Sequence, residues 1–338
     1  MLYTVTPIQG PTDQAVIKPK EDTAVFLGNI GFLPLRYSRY INNEDHWETE
    51  IKGGILAPVQ AGDIVIPQVP GYAPLTVEDA FVHGTHDRGG KVIALVHDAE
   101  YLRYPKSYDR KTWVEYLGSY DALLVNTPEE KRQVLASGVN LPIVVTGPWG
   151  YIQPIGSRQP HFSKTIHYAG NLVEWKGGFM ANIPAELKVK LYGSSDGNSD
   201  LGYRIADSVE RMGSYSQEAL ALALDNGFGL VWDENSTHHY NDYAMINMPH
   251  KLSLYLSLGL PVIAKKGSQV GNFVAANHVG IVVDDMEALV PVMAAMDEGQ
   301  YNQLLAAVKP MEALIRSGRH LQLAALKAIM AVNGISEY

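Results

Sequence analysis

The chain has 338 residues, a length that favours two domains and allows a large core. Its apolar fraction of 46% and charged fraction of 19% are those of a globular protein, so long disordered stretches are not expected. A net charge of -9 argues against a broad nucleic-acid surface, and the lack of cysteine excludes disulfides and thiolate metal sites.

The chain start carries no targeting signal. MLYTVTPIQG has neither the basic segment nor the apolar segment of a signal peptide. The longest apolar segment, Leu252–Ala264, is interrupted by two serines, a glycine and a proline, so no transmembrane segment is predicted. We therefore expect a cytoplasmic protein.

Short apolar runs alternate with longer amphipathic runs along the whole chain. Strands are predicted at Leu2–Thr6, Leu33–Tyr37, Asp63–Pro67, Lys91–His97, Ala122–Asn126, Ile143–Thr146, Thr165–Tyr168, Val189–Tyr192, Phe228–Trp232, Pro261–Ala264 and Gly280–Val283. Helices are predicted at Val77–Thr85, Pro128–Ser137, Gln217–Leu224, Pro249–Leu258, Val270–Ala276, Met286–Met296 and His320–Ala331. This alternation predicts an α/β protein in which parallel sheets are covered by helices.

A segment without periodicity separates the two halves. Residues 147–164, GPWGYIQPIGSRQPHFSK, are rich in proline and glycine, and we interpret them as an interdomain linker. The prediction is a Rossmann-like domain at 1–150 facing a second one at 151–318 across a cleft. A helix at 319–338 would cross back and pack on the first domain. In such sheets, ligands bind beyond the carboxyl ends of the strands.

Two loops of the first half follow predicted strands and would therefore line the cleft. Strand Leu2–Thr6 leads into IQGPTDQ, where Gly10 and Thr12 are candidates, although a plain capped turn explains the same residues. His97 and Asp98 end the apolar run KVIALVHD, a position from which a catalytic base faces a cleft.

Three segments of the second half are candidates for ligand contacts. In HYAGNLVEWKGGF, glycine near Asn171 lets the backbone approach a ligand, and Lys176 can meet a phosphate. Taken alone, however, the segment fits an ordinary strand-to-helix turn with a solvated lysine better, because it matches neither a P-loop nor GxGxxG. In MGSYSQEALALAL, Ser216 starts a helix, and Tyr215 either stacks on a base or packs internally. In GFGLVWDENS, Asp233 follows a strand and either accepts hydrogen bonds from sugar hydroxyls or closes a turn.

The segment PHKLSLYLSLG (249–259) carries a local conflict. Proline suits the first turn of a helix, and Gly259 ends it. His250 and Lys251, however, put positive charge where the helix dipole disfavours it. A bound anion at this helix N-terminus would remove the conflict. Alternatively, the positive charge would be tolerated if both side chains were exposed to solvent. Asn247 can be a simple N-cap of this helix.

Common catalytic signatures are absent. No HExxH, EF-hand, Walker A or DxD pattern occurs. His238 and His239 are adjacent rather than at ligand spacing, so we predict no metal site. Neither half shows GxGxxG with a downstream acid, which disfavours a dinucleotide oxidoreductase.

Set in chain order, five segments resemble one family. YAGNL, LYG, GSYS, GLVWD and NxPHKLSLYLSLGLPVI look like the C-terminal half of GT-B glucosyltransferases that extend O-linked N-acetylglucosamine on serine-rich repeat adhesins of Gram-positive bacteria. Relatives of that family include galactofuranosyltransferase-like proteins. GDIVIPQVP (62–70) and VHD (96–98) extend the resemblance over most of the chain, and it is strongest at 247–263.

The resemblance implies a GT-B fold whose C-terminal domain holds a UDP-sugar donor. Asn247 and Lys251 would hold the ribose or pyrophosphate, Tyr215 would lie near the uracil and Asn171 near the phosphates. The other candidates on the donor side are Lys176, Asp233 and His250. The candidates on the acceptor side are Gly10, Thr12 and His97.

The implied reaction transfers a hexose, with glucose as the first candidate, from UDP to a sugar acceptor. That acceptor would be N-acetylglucosamine on a glycoprotein, or a polysaccharide. Lys251 would stabilise the leaving diphosphate, and Asp98 is the candidate base, a role that a retaining enzyme does not need. We expect neither a metal nor any other cofactor. We expect the protein to form a homo-oligomer.

Two other functions remain open from the sequence. A non-catalytic GT-B partner or chaperone subunit for glycosylated protein would keep the fold and lose the donor site, which Asn247 and Lys251 argue against. A nucleotide-sugar hydrolase or epimerase would need carboxylates beside the donor, and Asp233 and Glu234 can supply them.

Overall fold

The computed structural model describes residues 1–8, 17–41, 46–233 and 240–335. The strands are β1 Leu2–Ile8, β2 Phe32–Ser38, β3 Ile64–Val69, β4 Lys91–Val96, β5 Ala122–Val125, β6 Ile143–Val145, β7 His161–Ala169, β8 Lys188–Tyr192, β9 Val209–Gly213, β10 Asn226–Val231, β11 Val262–Lys265 and β12 Gly280–Val283. The α-helices are α1 Ile17–Gly28, α2 Trp47–Thr49, α3 Leu75–His86, α4 Glu100–Arg103, α5 Arg110–Gly118, α6 Pro128–Ala136, α7 Glu174–Gly177, α8 Gln217–Ala223, α9 Tyr240–Ile246, α10 His250–Ser257, α11 Gln269–Asn277, α12 Met286–Ala295, α13 Glu298–Ser317 and α14 Arg319–Val332. A π-helical segment, Glu50–Ile55, and a 3-10 segment, Gly178–Asn182, complete the set.

The strands form two six-stranded sheets. The first has the order β2-β1-β3-β4-β5-β6 and the second β12-β11-β10-β7-β8-β9. Neighbouring strands within both sheets run parallel. Helices cover such sheets on both faces, which explains why central strands such as β4 are continuous apolar runs. The predicted α/β class with two Rossmann-like sheets is confirmed.

The chain divides into two compact units. One unit contains Met1–Gly147 and Gly318–Tyr338, and the other contains Pro148–Ser317. Helix α14 contacts α1, β5 and β6 of the first unit. Gly318, in the left-handed region at φ 63°, precedes α14, and a Cβ atom there would collide with the ring of Phe26.

The predicted elements match the structure at most positions, with two kinds of error. The linker prediction of 147–164 is wrong at its end, because β7 already begins at His161, which pairs with Asn226 of β10. Strand β9 was not predicted, since it is a largely unburied edge strand without an apolar run. Helices α1 and α13 were not predicted either. Helix α13 contains Pro310, and a proline normally argues against a helix interior.

Among the described residues, no helix combines the length and the apolar character needed to cross a membrane.

Candidate active site

Three side chains of the second unit meet where β7 and β10 end. Lys251, in the first turn of α10, donates from Nζ to the hydroxyl oxygen of Tyr168, at 2.7 Å. The Tyr168 hydroxyl in turn donates to Oδ1 of Asp233, at 3.2 Å. The same Asp233 oxygen lies 3.3 Å from Lys251 Nζ. The three polar groups therefore form a closed triangle at the carboxyl end of the sheet.

This triangle is largely withdrawn from solvent. The side chain of Lys251 is 14% exposed and that of Asp233 is 6% exposed. Burial lowers the pKa of Lys251, while the charge of Asp233 acts in the opposite direction. The Lys251 ammonium also lies 4.0 Å from the centre of the Tyr168 ring. A partly buried cation at this position can neutralise an anionic ligand with little screening by water.

The structure shows how α10 accommodates positive charge in its first turn. Asp233 supplies the opposite charge to Lys251, and the ring of His250 stacks on Trp149 at a centroid distance of 5.9 Å. The interpretation of Asn247 as an N-cap is wrong, because the N-cap is Pro249 and no side chain caps the helix. Asn247 is buried, and its backbone N–H donates to the carbonyl of Tyr243.

Bare backbone lies beside Lys251. Gly170, directly after β7, has φ 157°, and a Cβ atom placed on it would contact the Lys251 stem at 3.8 Å. Gly193, directly after β8, has φ 130°, and a Cβ atom there would collide with the Gly170 carbonyl. Glycine is therefore required at position 193. Gly170, which has no side chain, leaves the ends of β7 and β8 open to close approach by a ligand.

The other predicted donor-side residues make contacts of their own. Asn171 is exposed, and its amide donates to Asp196 at 2.7 Å. Lys176 lies with its ammonium 4.8 Å from the ring centre of Trp175. Tyr215 is 39% exposed, packs edge-on against Tyr192 and directly precedes Ser216, whose hydroxyl caps α8 as predicted. An exposed ring beside a strand end is available for stacking.

Tyr168 was missed in the sequence analysis. It is fully buried in β7 and reads as an ordinary core tyrosine. Its position two residues before Gly170, at the carboxyl end of a central strand, was the signal that could have identified it.

In the first unit, His97 and Asp98 follow β4 as predicted and make different contacts. His97 Nε2 lies 2.8 Å from Oε1 of Gln68, the last residue but one of β3. Asp98 Oδ2 accepts a hydrogen bond from Arg103 at 2.9 Å, and Arg103 also reaches Glu100 at 3.1 Å. Both predicted residues therefore belong to hydrogen-bonded groups at the carboxyl end of this sheet.

Ionisable groups that the sequence analysis did not select are buried nearby. Lys20 of α1 donates to the carbonyl of Pro70 at 2.6 Å, and burial lowers its pKa to about 8 against the charges of Glu78, Asp98 and Glu100. Burial raises the pKa of Glu78 and of Glu100 to about 7 in each case. No sequence signal distinguished these residues from exposed charges on helices.

Some predicted residues lie outside the described ranges, namely Gly10, Thr12, Glu234, His238 and His239. Within the described ranges, no three His, Asp or Glu side chains are grouped so that they could hold a metal ion. Independence of metal stays a prediction.

Comparison with known proteins identifies the family. The model for the glucosyltransferase 3-like N-terminal domain matches residues 2–148, and the model for the corresponding C-terminal domain matches residues 166–328. The two matches together cover most of the chain and correspond to its two sheets.

Individual proteins agree with this result. Glucosyltransferase 3 of Streptococcus gordonii is 23% identical over 98% of this chain and 99% of its own length. A beta-1,6-galactofuranosyltransferase of Escherichia coli K12 is 29% identical over 46% of this chain and 47% of its own length. The solved structure of trehalose-6-phosphate from E. coli bound with UDP-2-fluoro glucose superposes with a TM-score of 0.63 at 12% identity, over 97% of this chain and 98% of that one. This last likeness is one of fold. Because both domain models match, the chain belongs to the glucosyltransferase 3-like family of GT-B glycosyltransferases.

Proposed function

We propose that this transferase moves a hexose, glucose in the first instance, from UDP to a sugar acceptor. The observation that carries the proposal is the buried ammonium of Lys251 beside the bare backbone of Gly170, at the carboxyl ends of parallel strands. This arrangement suits a diphosphate, which needs positive charge and close backbone approach. The names of the relatives support glucose as the sugar, and the UDP-sugar bound to the fold neighbour supports UDP as its carrier.

In the proposed reaction, negative charge develops on the diphosphate as the bond to the sugar breaks. Lys251 would stabilise that charge, since a preorganised cation in a water-poor site acts strongly on the transition state. The donor would have to draw Lys251 away from Asp233. Asn247, His250, Asn171, Lys176 and Tyr215 remain the proposed residues for the rest of the donor.

The acceptor would be N-acetylglucosamine on a glycoprotein, or a polysaccharide. His97 and Asp98 are the proposed residues on its side, with Asp98 as the base if the reaction inverts the anomeric centre. A homo-oligomer and a cytoplasmic location stay predictions.

Calorimetric titration of UDP, UDP-glucose and UDP-galactose, without added metal, tests the donor site. We expect wild type to bind UDP and Lys251→Ala to lose at least tenfold in affinity, the effect of about 1.4 kcal/mol. Lys164→Ala is the matched control. Lys164 lies in the N-terminal half of β7, away from the carboxyl end where Lys251 lies, and it donates to the carbonyl of Ala294.

The outcomes separate the alternatives. Unchanged UDP affinity in Lys251→Ala would contradict the assignment of the donor site. No UDP binding by wild type would point to a non-catalytic partner protein, and release of free glucose without an acceptor would point to a hydrolase.

A further inference from the structure

The hydroxyl of Tyr255, in helix α10, is bound to the end of strand β7. The Tyr255 side chain is fully buried, and its hydroxyl oxygen accepts a hydrogen bond from the backbone N–H of Ala169 at 2.8 Å. Ala169 is the last residue of β7, whereas the pairing of β7 with β10 already ends at His167 and Gly229. A helix side chain therefore binds a strand N–H beyond the last paired residues, and so gives this buried donor the partner it needs.

The ring of Tyr255 lies against β10 at a position where only glycine fits. A Cβ atom on Gly229 would come within 2.1 Å of this ring, so any other residue there would displace it. Gly229 is an inner position of the sheet, because it pairs with His167 of β7 and with Val262 of β11. The ring is thus seated on β10 while the hydroxyl binds β7, and one side chain fixes α10 to both strands.

Lys251 lies one helical turn before Tyr255, on the same side of α10. Its ammonium contacts Tyr168, near the end of β7, and Asp233, which follows β10. The two strands that Tyr255 fixes to α10 are therefore the two that carry the partners of Lys251. The N–H that Tyr255 binds belongs to the residue between Tyr168 and Gly170.

We propose that Tyr255 is a positioning residue of the donor site, which keeps Lys251 at the strand ends by fixing α10 to β7 and β10. Its hydroxyl would not touch the UDP-sugar and would act on binding through the Lys251 ammonium. Without this bond, α10 would be free to shift along the sheet, and the ammonium would lose its fixed place beside Gly170, where a diphosphate needs preorganised charge. The choice of UDP as the ligand rests on the proposed function, whereas the bond to the end of β7 does not.

The amide resonance of Ala169 tests this hydrogen bond without any ligand. Labelling with 15N-alanine and 13C-carbonyl tyrosine selects the alanines that follow a tyrosine, namely Ala73, Ala169 and Ala244. The signal that disappears in Ala169→Gly belongs to Ala169. Because a hydrogen bond moves an amide proton downfield, this signal should move upfield in Tyr255→Phe, which keeps the ring and removes the hydroxyl. An unmoved signal would overturn the inference at its first step.

Tyr301→Phe is the matched control for the loss of a buried hydroxyl. Tyr301 of α13 is also fully buried, and its hydroxyl donates to the carbonyl of Gly227 at 2.8 Å, near the start of β10 rather than at its carboxyl end. Both variants should lower the urea midpoint of unfolding by similar amounts. In calorimetric titration, UDP affinity should fall roughly fivefold in Tyr255→Phe, about the effect of one neutral hydrogen bond, and stay unchanged in Tyr301→Phe. Unchanged affinity in Tyr255→Phe, or equal losses in both variants, would overturn the positioning role.

A double variant tests whether Tyr255 acts through the ammonium. If the two residues act as a unit, their effects are not additive, so adding Tyr255→Phe to Lys251→Ala should change UDP affinity by less than about twofold. A further loss of roughly fivefold in that background would overturn action through Lys251. No UDP binding by wild type would overturn the proposed function together with this role. An unmoved Ala169 resonance in a protein that binds UDP would overturn this role alone.

Discussion

The ammonium of Lys251 lies 3.3 Å from a carboxylate oxygen of Asp233, and Tyr168 joins the two through its hydroxyl. A cation that is already paired inside the protein is stable without a ligand, because burying it alone would cost several kcal/mol. The same pairing sets up a competition. A phosphate that approaches Lys251 must replace the carboxylate or share the cation with it.

Replacing Asp233 with asparagine should therefore strengthen binding of UDP. The substitution keeps the shape of the side chain and removes the competing negative charge. We expect UDP affinity to rise roughly fivefold, a change of about 1 kcal/mol in binding free energy, because the phosphate no longer has to displace a carboxylate from the ammonium. Calorimetric titration measures the change. Asp284→Asn is the control, because Asp284 pairs with Lys266 on the exposed surface. Weaker UDP binding in Asp233→Asn would show instead that Asp233 orients Lys251 for the donor.

Gly193→Ala should destabilise the second unit strongly. The new methyl group would collide with the carbonyl of Gly170, and φ 130° is unfavourable for alanine. We expect a loss of about 3 kcal/mol or more in the free energy of unfolding, measured with urea. Gly156→Ala is the control, since its Cβ atom would meet open space. Equal stability of the two variants would mean that the backbone at Gly193 relaxes without cost.

Glu130→Gln should stabilise the protein increasingly as pH rises. Glu130 is fully buried, and burial raises its pKa from 4.5 to about 8. Because the folded state holds this proton more tightly than the unfolded state, the stability that Glu130 contributes is complete below about pH 4.5. It is lost as pH rises through about 8. Glutamine cannot ionise, so the variant should gain roughly 3 kcal/mol over wild type between pH 5 and pH 8.

The adjacent residue provides the control for this pH series. Glu129 binds Arg132, which lowers its pKa to about 2, so it is ionised throughout the range from pH 5 to pH 8. The difference between Glu129→Gln and wild type should therefore stay constant over that range in urea unfolding. A constant difference for Glu130→Gln as well would contradict the protonated state of the buried carboxyl group.

Gly318→Ala tests the turn between α13 and α14. Alanine at φ 63° is strained, and its methyl group would also collide with the ring of Phe26. We expect a loss of about 3 kcal/mol or more in the free energy of unfolding. Gly334→Ala separates the two effects, because Gly334 has a similar φ of 70° with open space around it. Its loss should be at most about 1 kcal/mol.

The sequence predicted the fold well because each buried strand is a separate apolar run. Both sheets and the residues at their carboxyl ends followed from that pattern. Strand β9 escaped prediction because an edge strand needs no apolar run. The direct contact between Lys251 and Asp233 depends on how α10 sits beside β10, which no local pattern encodes.

The buried charges show a different limit of sequence reasoning. Lys20 and Glu78 have neighbours in the chain that are typical of exposed helix positions, yet both are buried. Their burial depends on contacts with distant backbone: Lys20 donates to the carbonyl of Pro70, just after β3, and Glu78 accepts hydrogen bonds from the backbone of Gly71 and Ala73. Likewise, the link between Gln68 and His97 joins two strands that are adjacent only in the folded sheet.

The first unit is assembled from both ends of the polypeptide, with the second unit inserted between them. Ribosomal synthesis proceeds from the N-terminus, so residues 1–147 leave the ribosome long before α14 has been made. The surfaces of α1, β5 and β6 that α14 covers therefore stay exposed while the entire second unit is synthesised. In the cell, the second unit can therefore finish folding before the first, and a nascent chain that stalls within α13 would present an incomplete N-terminal unit to chaperones and proteases.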